Sequence, residues 1–306
     1  MKKVSFWILA LILAIPCFIA CQKDGIYNPK QKITKLSMEK VRYHGGDQIG
    51  EKEYRNEYWK WEDKLLKSIK RETADGAETA VMTYDKKTIK SVDMGDKKIT
   101  FSYKNGKIDK IELKEGDVCE KISVEVRDKG DMVQLRYEMS GNSMTNKSGF
   151  EQTVSDLFTV NQIIMPSYSA QMMQNSFIER KNAMIGSKAD IVVVVSLQYN
   201  SKNIGKQTIE YISTDTTKEV YRYTYDTKKN PFYHSFMELL EVKGVPIFCS
   251  ENNIVSSYEE SNDAVITKYT YKYDKNDFPV SCEIKTTYDP AFPSLHYSLE
   301  VWEYGY

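Results

Sequence analysis

Histidine is nearly absent from this chain, with 3 in 306 residues. His44, His234 and His296 stand far apart and in no HExxH or other metal-ligand spacing, so no metal site is expected. Cysteine is scarce as well. None of the 5 stands in a CxxC or Cys/His arrangement of the kind a structural zinc needs. No GxSxG elbow, phosphate-binding loop or GxGxxG fingerprint occurs, and Gly45-Gly46 is a turn signal rather than a phosphate cradle. No cofactor and no catalytic residue is therefore expected. Net charge is missing too, because Lys plus Arg and Asp plus Glu both number 43. Without a basic excess there is no electrostatic footprint for nucleic acid.

Long apolar runs are missing except at the N terminus, and there the exception is informative. Lys2 and Lys3 precede an apolar stretch from Val4 to Ile15. At about a dozen residues it falls short of the roughly 20 that a spanning helix needs, and Pro16 interrupts it. Residues 1–20 are expected to be a signal peptide. Phe18-Ile19-Ala20-Cys21 resembles the lipobox of bacterial lipoproteins, which implies that Cys21 is lipidated and that the protein meets the membrane through its N-terminal lipid. Residues 21–33 then read as a tether, with Gly, Pro and Asn but no apolar periodicity. Gln22 stands where an inner-membrane lipoprotein carries Asp, so an outer-membrane anchor is expected, with the leaflet open. Cys119, Cys249 and Cys282 remain as an odd set. A Cys249–Cys282 disulfide and buried free thiols both fit.

The rest of the chain, residues 34–306, is expected to form a single large β domain. Ile99-Thr-Phe-Ser-Tyr103 alternates apolar and polar residues, Asn105-Gly106 supplies a turn, and Ile108 to Leu113 runs back, which is a hairpin pattern. Looser copies begin at Tyr58, Met82 and Val124. The rhythm breaks over 141–189, where a subdivision would fall, and returns with the β-branched run Ile191 to Val195. Asn230 before Pro231 looks like a helix start, predicting a short helix near 231–241. The fold class expected is mainly β: a large curved antiparallel meander sheet, half-open and barrel-like, with one or two short helices. A membrane-inserted barrel is disfavoured because Lys97-Lys-Ile-Thr-Phe101 and Lys107-Ile-Asp-Lys-Ile-Glu112 put charge on both faces of short strands.

Two aromatic strands are used in the same way: Tyr221-Arg-Tyr-Thr-Tyr-Asp226 before Asn230-Pro-Phe232, and Tyr269-Thr-Tyr-Lys-Tyr-Asp274 before Asn276-Asp-Phe-Pro279. Together with the lipobox, the Tyr-Asp hairpins and the aromatic C-terminal stretch, these motifs resemble a lipoprotein family of Bacteroidetes-type bacteria. That family is described as having a porin-like, strongly curved antiparallel β fold, and the resemblance would cover most of 34–306. It implies fold and location and brings no active site.

Residues two apart in a strand share a face, so Tyr221, Tyr223 and Tyr225 form one stripe and Tyr269, Tyr271 and Tyr273 another. One reading places all six in the core. The other makes them an exposed ligand-binding platform, with Trp302 as a neighbour, for a glycan or a protein. The expected function is accordingly a lipid-anchored cell-envelope protein without catalytic activity, binding or structural in role. The alternative is a lipid-anchored hydrolase acting on glycan or peptide, which would need two carboxylates roughly 5–10 Å apart.

Overall fold

Alternating strands joined by two-residue turns leave the chain one economical arrangement, in which each strand pairs with the next. The computed structural model has that arrangement. It describes residues 26–95, 97–115, 118–128, 132–139, 191–212, 216–233, 250–260, 262–288 and 293–306. The strands are β1 (Lys35–His44), β2 (Asp47–Glu62), β3 (Leu65–Thr73), β4 (Gly76–Asp85), β5 (Thr88–Asp93), β6 (Lys97–Lys104), β7 (Lys107–Glu115) and β8 (Val118–Asp128). They continue with β9 (Met132–Met139), β10 (Ile191–Asn200), β11 (Asn203–Ile212), β12 (Thr217–Lys229), β13 (Asn252–Glu259), β14 (Asn262–Tyr273), β15 (Pro279–Thr287) and β16 (Tyr297–Gly305). Every strand is antiparallel to its sequence neighbours in one meander, as the alternation implies.

Where the sequence pattern left the sheet half-open, β1 is hydrogen-bonded to β16 from Lys35–Gly305 to Tyr43–Tyr297, which makes the sheet a closed barrel. The pairing removes two long edges that would otherwise expose unpaired N–H and C=O groups. Side chains reinforce the seam at its far end. Tyr43 stacks on Tyr297 with ring centroids 4.5 Å apart, and the Nδ1 atoms of His44 and His296 meet at 3.0 Å.

The turns follow their residues. Asn105 and Gly106 have φ of 55° and 77°, the left-handed pair that a tight hairpin turn requires, and they connect β6 to β7 as expected. No helix occurs among the described residues. Pro231 to Tyr233 forms a turn in which Asn230 Oδ1 accepts the Phe232 N–H at 2.9 Å, and the rest of the expected helix over 231–241 lies outside the described residues. Residues 1–25, with Cys21, and 140–190 lie outside them too.

One face of the wall is buried and the other wet. On β16, Ser298, Glu300, Trp302 and Tyr304 are buried, while Val301 and Glu303 between them are exposed. Outer positions carry charge along strand after strand: Lys60, Lys70, Arg222, Lys268 and Lys272 are exposed. A bilayer-inserted barrel needs an apolar outer band about 25 Å tall, and this outer face offers the opposite. The apolar side chains are inside instead, in one cluster that includes Leu36, Trp59, Leu66, Ile69, Ile99, Ile284 and Trp302.

The inside is not uniform along the barrel axis. One end, called here the floor, holds Lys35 of β1, Glu62 of β2 and Gly305 of β16; the other, the mouth, holds His44, Asp47 and Tyr297. From floor to mouth β16 runs Tyr304, Trp302, Glu300, Ser298; β1 runs Leu36, Met38, Lys40; β2 runs Trp59, Glu57, Arg55; β3 runs Leu66, Ile69, Arg71. Each strand passes from apolar to polar.

Leu36→Ala should therefore lose about 2–5 kcal/mol of stability by urea denaturation, because its side chain is fully buried in the apolar half. Lys60→Ala, on the outer face, should leave the midpoint unchanged. Equal losses at the two positions would place the core on the other face.

Candidate functional site

The floor is filled. Residues 26–33, expected to be part of a tether, turn into the barrel end instead. Tyr27 is buried and donates its hydroxyl hydrogen bond to the Pro231 carbonyl at 2.8 Å, and its ring lies 5.6 Å from that of Trp61. Trp61 Nε1–H donates to the Ile33 carbonyl at 2.7 Å. Phe232 comes in from the opposite side, within 6.2 Å of Trp59 and 6.1 Å of Tyr304 by ring centroids. Burial pushes the Tyr27 and Tyr304 hydroxyls well above their usual range, so both remain neutral donors.

The tyrosine stripes line the wall between. Tyr221 and Tyr223 are buried, Tyr225, Tyr269 and Tyr271 are half-buried against the core, Tyr273 is half-buried, and none is exposed. Their hydroxyls find partners inside the protein. Tyr221 donates to Glu219 Oε2 at 3.0 Å, Tyr223 to Gln207 Oε1 at 2.7 Å, and Tyr225 to the Ile204 carbonyl at 2.8 Å. Tyr273 donates to Asp226 Oδ2, and Tyr271 is hydrogen-bonded to Cys282. β13 separates the two stripes, so they share the inner face without forming one continuous surface. The six rings therefore do not form one open platform, although Tyr225, Tyr269, Tyr271 and Tyr273 stay partly accessible. Trp302 is buried as well, with Nε1–H directed to Glu300 Oε2 at 3.4 Å. Cys282 is a free, buried thiol, so it does not form the disulfide considered with Cys249, which lies outside the described residues. Burial pushes its pKa up, and it stays a thiol.

The mouth is where polar groups converge. A cavity of about 1060 Å³ opens there, lined by β1, by β2 from Ile49 to Arg55, by the β3–β4 turn and by Glu300. Four cations reach its inner side. Lys40 pairs with Glu300 at 3.6 Å, Arg42 with Glu53 at 2.6 Å, and Arg55 with Glu57 at 3.6 Å. Arg71 pairs with Glu78, a largely exposed rim residue, at 3.8 Å, and also feels the buried Glu57 carboxylate. Burial depresses the pKa of Lys40 and Arg55 and raises that of Glu57. Arg71 is pushed down to about 10, first by burial and then by the neighbouring Arg55 charge. Its Nε and Nη2 have no hydrogen-bond partner. Buried guanidinium nitrogens without hydrogen-bond partners are costly, and an incoming anion would relieve that cost.

The sequence carried a signal for this site. Glu57-Tyr-Trp59, Glu300-Val-Trp302 and Glu219-Val-Tyr221 each place a buried carboxylate two residues before an aromatic ring on the same face. In all three the ring's N–H or O–H donates to that carboxylate, at 3.2 Å for Trp59. Among the described residues no three His, Cys, Asp or Glu side chains are placed to hold a metal ion.

No family model matches the chain, and no curated protein matches it significantly. Among solved structures, a porin-like protein from Bacteroides uniformis superposes with a TM-score of 0.51 at 9% identity, covering 93% of this chain and 99% of that one. A porin-like protein from Bacteroides vulgatus gives a TM-score of 0.45 at 10% identity, covering 90% of this chain and 98% of that one. The first supports the mainly β, antiparallel fold.

Two measurements check the site. Tyr273→Phe removes a donor to Asp226 and should cost about 1–3 kcal/mol in urea denaturation. Glu57 is held protonated more readily in the folded than in the unfolded chain. The folded state thus binds the extra proton, and this group's contribution to stability falls as pH rises above the unfolded glutamate value of about 4.3. Glu57→Gln, which keeps an acceptor for Trp59, should flatten that fall when melting temperature is followed from pH 4 to 8.

Proposed function

We propose that this is a lipid-anchored cell-envelope protein that binds its ligand, without converting it, in the polar mouth of the barrel. The observation that carries the reading is the axial gradient: a floor sealed by Tyr27, Phe232 and Trp59, and an opposite end left as a cavity of about 1060 Å³ walled by charged side chains. A sealed floor argues for holding a ligand rather than passing it through. The inner carboxylates argue against the hydrolase alternative, because Glu53, Glu57 and Glu300 are each paired with a cation. A general acid needs a carboxyl that can give up and regain its proton freely, and these are engaged in holding the arginines and lysine in place.

The anchor fits the same arrangement. With Cys21 lipidated and Tyr27 docked in the floor, the intervening residues span at most about 20 Å when fully extended. The floor then faces the lipid and the mouth faces away from it. The likeness to the Bacteroides uniformis porin-like structure supports the antiparallel β fold and leaves the outer-membrane location as part of this proposal.

The full chain, screened by thermal shift against neutral oligosaccharides, acidic oligosaccharides and short peptides, should be stabilised by one of these classes in a saturable way. A ligand at one hundred times its Kd adds about 2.7 kcal/mol. Ala74→Trp, a bulky substitution on the β3–β4 turn that rims the cavity, should weaken that response by about tenfold, the equivalent of roughly 1.4 kcal/mol. Conversion of the ligand by the wild-type protein, or a response indifferent to the rim substitution, would overturn the reading.

A further inference from the structure

One wall of the mouth is a bare strand edge. The β2–β3 ladder reaches only as far as Arg55, opposite Thr73, whereas the β1–β2 ladder continues to Asp47. Asp47–Ile49 and Glu53–Tyr54 are consequently paired with β1 alone, Gly50–Lys52 bulge out between them opposite Val41, and all eight are exposed. The edge is backed firmly, since β1 behind it is held by β16 up to the Tyr43–Tyr297 stack. Gly50, at φ 71°, and the bulge between Lys40 and Arg42 break the regular strand near its tip. What remains usable ahead of the bulge is Glu53–Tyr54, about 7 Å at strand spacing, which leads directly into Arg55 and the buried cations. Two large apolar side chains stand uncovered beside it, Ile49 at 48% and Tyr54 at 54% exposure.

We propose that this corner binds the C-terminal end of an extended peptide, its last residues pairing with the free edge of β2 at Glu53–Tyr54 and its terminal carboxylate taken by Arg71. The proposal rests on the mouth being a binding site and names its ligand. Strand addition uses backbone groups of both chains, and alternate side chains of the added strand reach apolar surface such as Tyr54 and Ile49. A carboxylate suits the inner charges. Lys40, Arg42, Arg55 and Arg71 face Glu53, Glu57 and Glu300, an excess of a single positive charge, and of the two cations whose ion-pair partner is exposed, Arg42 and Arg71, only Arg71 is itself buried. The two unpartnered nitrogens of Arg71 are covered in its present position. A ligand carboxylate would replace Glu78 at Nη1 and draw the guanidinium into the cavity by rotation of the side chain, without moving the backbone. Glu51, Asp75 and Glu78 line the rim and repel additional negative charge, so a singly charged chain end is favoured over a polyanion. A free backbone edge favours a peptide over a sugar acid, which has no regular ladder to complete.

The test uses the full chain in detergent and fluorescently labelled pentapeptides of varied sequence, each made with a free C-terminal carboxylate and as the C-terminal amide. Anisotropy titration should show saturable binding of free-acid peptides, weakened about tenfold or more by amidation and by Arg71→Gln, as loss of a charge-assisted hydrogen bond implies. Glu78→Gln removes the competing carboxylate and should tighten free-acid peptides by about threefold, the size of an exposed ion pair. That gain should vanish when Glu78→Gln is combined with Arg71→Gln, whereas relief of rim repulsion alone would persist in the double variant. Equal binding of acid and amide, or an affinity unmoved by Glu78→Gln, overturns the assignment. So does a thermal-shift response to oligosaccharides alone, acidic or neutral, an outcome that leaves the mouth a binding site for another ligand. If no class of compound responds, the wider reading fails with it.

Discussion

A ring of sixteen strands encloses more space than wall side chains can fill, and the constraint of occupying that space shapes the described interior. At the floor the solution is apolar. Trp59, Trp61, Trp302 and Tyr304 project from the strands, and segments from outside the sheet add Tyr27, Ile33 and Phe232 between them. Toward the mouth the side chains become polar and the packing gives way to a cavity. The same wall thus supplies a closed core at one end and a chamber at the other, by changing residue type along β1, β2, β3 and β16.

Polar side chains on an inner face carry a desolvation cost, and the protein offsets it locally. Each buried glutamate of the three Glu-x-aromatic segments accepts from a ring two residues along its own strand, so one lone pair is satisfied before any tertiary contact forms. Cations then meet two of the three, Arg55 from the same strand at Glu57 and Lys40 from the neighbouring strand at Glu300. Such an arrangement is seldom a net source of stability, because isosteric apolar residues would avoid the desolvation altogether. Its retention at the mouth, and its absence from the floor, ties the buried charges to the chamber.

The hairpins were legible because their determinants are local. Asn105-Gly106 can adopt the paired left-handed conformation that the turn needs, and apolar–polar alternation identifies a buried face without any knowledge of neighbours. Three things were not legible, each for a definite reason. Alternation shows that Tyr221, Tyr223 and Tyr225 share a face and is silent on whether that face looks inward or outward. The closure of β1 on β16 depends on curvature accumulated over the whole sheet, which no short segment encodes. The floor-to-mouth gradient reverses its sense along the chain at every strand, since neighbours are antiparallel, so that in sequence it averages to nothing. Only the repeated Glu-x-Trp and Glu-x-Tyr spacing survives as a trace, and it is easily taken for ordinary strand alternation. Segment 26–33 was misleading for a related reason: Gly, Pro and Asn mark it as irregular, and Tyr27 and Ile33 are what dock it.

The seam sets the order in which the molecule can be assembled. Fifteen of the ladders join strands adjacent in sequence, whereas the one between β1 and β16 unites regions as distant as His44 and His296, 252 residues apart. Local hairpins can form as soon as their turns do, but the seam must wait until the curved sheet has brought its two ends together, and contacts of such separation are slow to gain. Until then β1 and β16 are both open edges with apolar inner faces, Leu36 and Met38 on one and Trp302 and Tyr304 on the other, the kind of surface on which partly folded chains associate with one another. Closure is thus the step at which a chain prone to aggregation becomes one that is not.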